Sequence, residues 1–91
     1  MELRWTEAAA EDLERIADYL FKHSPLHAAR IVRMIYESPR RLLTFPALGR
    51  PGKVDGTREL VWAPCHTCLF TFPTAKIIHL TRILHGAQNC P

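Results

Sequence analysis

The sequence predicts an α+β domain of order β-α-α-β-β-β, a helical hairpin packed on a small antiparallel sheet. Three observations carry that expectation. Apolar residues recur at i, i+3, i+4, i+7 spacing in two successive segments of the first half. A proline- and glycine-rich stretch follows at 46–56, and beyond it the apolar period changes to two. The chain has 91 residues, which suits one domain spanning 1–91 with one core.

The elements follow in order. Leu3 and Trp5 alternate with Glu2 and Arg4, which fits a first strand of about four residues. Thr6 then stands as an N-cap before Glu7, Glu11 and Asp12, acids that favour the positive end of a helix dipole. Leu13, Ile16, Ala17 and Leu20 make the apolar stripe of this helix, which should stop near His23. Ser24-Pro25 repeats the start signal, a capping hydroxyl and then proline at the first helical position. Ala28, Ile31, Val32 and Ile35 form the second stripe. Pro39 interrupts it while Leu42 and Leu43 keep the phase, so one kinked helix is expected, or two nearly collinear ones with Ser38 as cap. The link between the helices is short enough to force a hairpin. After the 46–56 loop, strands are expected at 58–62, 67–72 and 76–84, joined by tight turns as an antiparallel meander.

Composition excludes several classes. No apolar run approaches the roughly 18 residues of a membrane-spanning helix. Charged residues from Glu2 to Asp12 interrupt the stretch a signal peptide would need, so a cytoplasmic protein is expected. The net charge of +3 is unevenly spread. Residues 1–18 hold six acids against Arg4 and Arg15, a balance of −4, and the remainder carries +7. That basic remainder suits a nucleic acid or an acidic protein as partner, or a solvated surface with none. Cys65, Cys68 and Cys90 are odd in number, and reduced thiols are expected. Cys65-His66-Thr67-Cys68 has metal-like spacing, but the second cysteine pair of a closed zinc site is missing. It spans a strand turn, whereas a redox pair would open a helix. Neither a metal nor a cofactor is expected.

Several ordered motifs remain: Trp5-Thr6 with Ala9 and Asp12-Leu13; Ser24-Pro25 with Ala28-Ala29; Leu48-Gly49-Arg50-Pro51-Gly52; Gly56-Thr57-Arg58-Glu59-Leu60-Val61; and Arg82-Ile83-Leu84-His85-Gly86-Ala87-Gln88. Together they cover nearly the whole chain, and in that order they resemble the RelE/ParE toxin family, in its ParE-like branch. The resemblance implies the same β-α-α-β-β-β topology and the toxin role in a type II toxin–antitoxin system of the plasmid-stabilisation kind. It also implies a cognate antitoxin as partner and DNA gyrase as target. Two places depart from the family pattern. Cys65-His66-Thr67-Cys68 stands where an aromatic usually follows the proline, and Asn89-Cys90 where a tryptophan usually precedes the last proline.

The RelE branch cuts messenger RNA on the ribosome, which requires cations to stabilise the charged transition state. Laid on this sequence, the resemblance leaves Arg58 as the one basic residue at the matching strand positions. Leu60, Thr67 and Ala87 stand where other cations are expected, and no tyrosine follows Leu84. A non-enzymatic inhibitor that binds gyrase is therefore the leading expectation. A ribosome-dependent endoribonuclease of the RelE type is the alternative, and a degenerate member that no longer harms the cell is the third. Candidate partner contacts are Arg58, Glu59, Arg82, His85 and Gln88. Each has a structural alternative: Arg58-Glu59 as a surface ion pair or loop anchor, Arg82 as an internally paired cation, and His85 as a hydrogen-bonded structural residue.

Overall fold

A computed structural model describes residues 2–62 and 67–85. The chain runs β1 (Glu2–Trp5), α1 (Glu7–His23), α2 (Pro25–Glu37), a 3-10 segment (Ser38–Leu43), β2 (Arg50–Pro51), β3 (Arg58–Trp62), β4 (Thr67–Pro73) and β5 (Ile77–His85). The strands form one sheet in the order β1-β5-β4-β3-β2. β2 to β5 pair antiparallel, as the tight turns predict. β1 pairs parallel with β5, from Glu2 opposite Ile77 to Trp5 opposite Leu80. The sheet is thus mixed and not wholly antiparallel. The connection from β1 to β5 runs through the helical hairpin and the other three strands, and no local signal reveals that pairing. β2, two residues inside the predicted loop, is the other addition.

Local chemistry explains where the helices begin and end. The Thr6 hydroxyl oxygen accepts the Ala9 N–H at 3.1 Å, capping α1 as expected. Its O–H is shared between the carbonyls of Leu80 and Thr81, at 3.0 and 3.1 Å, so the cap also fastens α1 to β5. Thr6→Ala should therefore cost about 1–2 kcal/mol in urea unfolding, and Thr6→Ser much less. A loss equal for both variants would show that the methyl group matters and the hydroxyl does not.

Ser24 differs from expectation. Its hydroxyl makes no capping bond, and its N–H instead closes α1 on the Leu20 carbonyl at 2.7 Å. Pro25, which needs no partner for a missing N–H, starts α2 without that cap. At Pro39 the helix neither kinks sharply nor restarts; it tightens into the 3-10 segment. Proline has no N–H to reach the Ile35 carbonyl four residues back, and the Ser38 hydroxyl donates to that carbonyl at 3.3 Å. Ser38 is therefore a repair of the helix end and not the cap of a new helix.

The core lies between the hairpin and one sheet face. Ala9, Ile16 and Leu20 of α1 and Ala28 and Ile35 of α2 pack on Leu69, Leu80 and Ile83. Leu3, Trp5, Leu13, Ile31, Val32 and Leu60 complete it from the margin. Among the described residues no helix is long and apolar enough to cross a membrane.

Candidate partner-binding groove

Adjacent residues of a strand point to opposite faces, which decides how Arg58 and Glu59 behave. They do not pair with each other. The Arg58 Nη2 donates to the Gly49 carbonyl at 2.8 Å. Glu59 is buried, 6% exposed, and its carboxylate accepts from the Arg50 Nε and Nη2 at 3.3 and 3.0 Å. Both residues of the motif thus hold the Gly49-Arg50 segment against β3, where Arg50 lies opposite Glu59 and Pro51 opposite Arg58. The Arg58 Nε is itself buried without a hydrogen-bond partner among the described residues.

Arg82 is tied from the other side. β1 ends its pairing at Leu80, and beyond it the edge of β5 is closed by α1. The Asp12 carboxylate, 3% exposed, accepts the Ile83 N–H at 3.0 Å, the Arg82 Nε at 2.6 Å and the Arg82 Nη2 at 3.0 Å. Arg15 adds a fourth bond at 2.6 Å. Burial by itself would raise the Asp12 pKa. The bonds from Arg82, Ile83 and Arg15 outweigh it and hold the carboxyl below its ordinary 3.8. The same pairing raises the Arg82 pKa further.

Glu59 and Arg82 meet at a groove of about 400 Å³ on the sheet face away from the helices. Phe70 and Leu84 supply apolar surface, Lys53 and Val54 of the loop form a wall, and Arg82 and Glu59 supply charge. A register shift in the β4–β5 pairing at Phe70/Thr71 leaves Thr81 without an opposite residue, and its hydroxyl donates to the Phe70 carbonyl at 3.0 Å. An apolar floor with charges at the margin fits an amphipathic peptide or a protein surface.

The predicted contacts are not all brought together. Glu59 and Arg82 share the groove. Arg58 lines a separate hollow of about 360 Å³ with Pro46, Pro51 and Pro73. His85 follows the alternation of Ile83 toward the helices, where its ring centre lies 6.2 Å from that of Tyr19. Gln88 lies outside the described residues, as do Ala87, Cys65 and Cys90. Cys68 is a buried thiol, and among the described residues no three His, Cys, Asp or Glu side chains converge as a metal site. Of the positions where an RNA-cutting relative would place cations, Leu60 packs against the core and Thr67 is buried. Asp12, the residue that orients Arg82, was not among the sequence candidates. A signal existed: Asp12 stands three residues after Ala9 and four before Ile16, on the buried stripe of α1.

The family model described as ParE toxin of type II toxin-antitoxin system, parDE, matches residues 3–90. The chain belongs to the ParE toxin family. Relatives of this ParE-family toxin agree in length as well as in sequence. The Sinorhizobium fredii protein Y4kP is 34% identical over 89 residues, covering 98% of this chain and 92% of that protein. Toxin RelE2 of Caulobacter vibrioides is 32% identical over 84 residues, covering 92% and 93%. A solved structure titled as a chromosomal ParDE TA system from P. aeruginosa superposes with a TM-score of 0.84 at 31% identity, covering 93% of this chain and 95% of that one. The two-helix, mixed-sheet architecture is therefore the family fold, and the chain is the toxin component of a type II system.

Proposed function

We propose that this ParE-family toxin acts in the cytoplasm by binding DNA gyrase and not by cutting RNA, and that a cognate antitoxin neutralises it. One observation carries the first half of this reading: the groove arginine is already committed. Arg82 spends its fork on the buried Asp12 carboxylate, as Arg50 does on Glu59. A phosphoryl-transfer site needs donors aimed at developing charge, and removal of one such donor typically costs about a hundredfold. Leu60, packed on the core, and buried Thr67 provide no cation. No histidine lines the groove among the described residues. The groove's apolar floor and charged margin instead suit a protein ligand; half-exposed Arg82 is the contact best placed for it, and Glu59, buried beneath Arg50, contributes by holding the groove wall. Arg58, His85 and Gln88 remain contacts of the same proposal at other points of the surface.

The test sets two assays side by side. Added to gyrase, relaxed plasmid and ATP, the protein should slow supercoiling or trap cleaved DNA. Added to programmed ribosomes, it should leave the message intact. Arg82→Ala protein that still folds should lose gyrase or antitoxin affinity with no change in any cleavage rate. Codon-specific cuts in ribosome-bound message, abolished by Arg58→Ala, would replace this reading with the endoribonuclease one.

A further inference from the structure

The two edges of the sheet differ in what they can accept. β2 is two residues long and includes Pro51, which has no N–H to offer a further strand. β1 is the other edge, and its pairing fixes which way each peptide group points. The Glu2 N–H donates to the Lys76 carbonyl at 2.9 Å and the Thr6 N–H to the Leu80 carbonyl at 3.1 Å. Peptide groups alternate in direction along a strand, so the N–H and C=O of Leu3 and Trp5 point away from β5. They have no hydrogen-bond partner among the described residues. Beside this edge lies a hollow of about 420 Å³, lined by Glu2, Leu3, Trp5, Tyr36, Arg40 and Leu43. Leu3 and Trp5 pack on the margin of the core, which puts the hollow on the helix side of β1. Tyr36 and Leu43, both exposed, bring apolar surface to it from α2 and the 3-10 segment. Trp5 and Tyr36 stack with ring centres 5.6 Å apart, which leaves no slot for a planar ligand between them. Arg40 is exposed and makes no ion pair or hydrogen bond among the described residues, whereas Arg4 is held by Glu2.

We propose that the β1 edge receives an extended segment of a partner protein as an added strand, with an apolar side chain in the hollow and an acidic one on Arg40. The outward N–H and C=O groups of Leu3 and Trp5 bind the backbone of any extended chain, and the hollow chooses among side chains. Alternate residues of the added strand face the helix side, so the apolar and acidic residues stand two apart. Apolar-x-acid or acid-x-apolar spacing then fits an apolar hollow with a guanidinium at its margin. A second copy of this chain is the poorer occupant. The antiparallel register that engages both Leu3 and Trp5 sets Arg4 directly opposite Arg4 of the copy, and like charges so placed repel.

Selection of displayed random octapeptides on the full chain tests this. Enriched sequences should carry the apolar-x-acid or acid-x-apolar spacing. A synthetic peptide of the enriched sequence should slow deuterium exchange of the Leu3 and Trp5 amides about tenfold or more, well beyond any change at Arg4, whose N–H already faces β5. Methylating alternate peptide nitrogens of that peptide should abolish binding in one phase and spare it in the other. Arg40→Glu protein, with a melting temperature showing that it folds, should bind the peptide about tenfold or more weakly. Changing the peptide's acid to lysine should restore that binding. Failure to enrich any such sequence would overturn the proposal. So would peptides that leave Leu3 and Trp5 exchange unchanged or bind Arg40→Glu equally well. Protection of the same amides in the free protein, with a sedimenting mass of twice 10.4 kDa, would give the edge to a second copy instead.

Discussion

Asp12→Ala is expected to cost about 2–4 kcal/mol, a large share of a small domain's stability. Most of that cost comes from the buried Ile83 N–H, which loses its acceptor at 3.0 Å. Arg82 and Arg15 are half-exposed or more and regain water when the carboxylate is removed, so their two ion pairs contribute less. Asp12→Asn keeps an acceptor for Ile83 and should lose about half as much. Acid provides an independent check on the charge. Because the folded-state pKa lies below the ordinary 3.8, Asp12 stabilises the fold fully above about pH 5, and this contribution disappears as pH falls through the folded value. The stability difference between wild type and Asp12→Asn should therefore shrink between pH 5 and pH 2. A difference that is constant with pH would mean the carboxylate's charge plays no part. With one acceptor oxygen in place of two, Arg82 in the Asn variant is held less firmly and should also change partner affinity more than stability predicts.

Gly49→Ala should be at least as damaging, about 3 kcal/mol or more, for two reasons that add. Gly49 sits at φ +99, where a β-carbon is strained by roughly 1–3 kcal/mol. A β-carbon there would also stand 2.5 Å from the Glu59 carbonyl oxygen and 3.0 Å from its carbon, both backbone atoms that cannot swing aside. Relief requires the Gly49-Arg50 segment to lift off β3, which breaks the Arg50–Glu59 ion pair and the Arg58 bond to the Gly49 carbonyl. Gly56→Ala is the control. It has φ +84, but the inserted carbon meets the Phe72 ring at 3.2 Å, a side chain able to shift, so a loss of about 1–2 kcal/mol is expected. Thermal melts of the two variants would decide it. Equal losses at both positions would show that dihedral strain is the whole effect and the close approach to β3 is unimportant.

The order of elements, the hairpin and the three-strand meander were legible because each rests on short-range periodicity, capping and turn chemistry. Thr6 announces the start of α1 by its type and by the acids after it, and the structure places its hydroxyl on the Ala9 N–H. The motifs around Gly49 and Arg58 identified the family, although they could not say why those residues stand there. That reason is tertiary: glycine is required because β3 passes 2.5 Å from where its side chain would be, and Arg58 because the Gly49 carbonyl needs a donor. Arg58-Glu59 looked like one unit in the linear sequence, yet the pleat sends the two side chains to opposite faces and gives them different partners. Arg82 and Asp12 are 70 residues apart and join because α1 closes the edge of β5 that β1 leaves open. Local rules act over a few residues of chain and so report helices, strands and turns. The parallel β1–β5 pairing, the Asp12 junction and the composition of the groove arise from contacts between segments that only folding brings together.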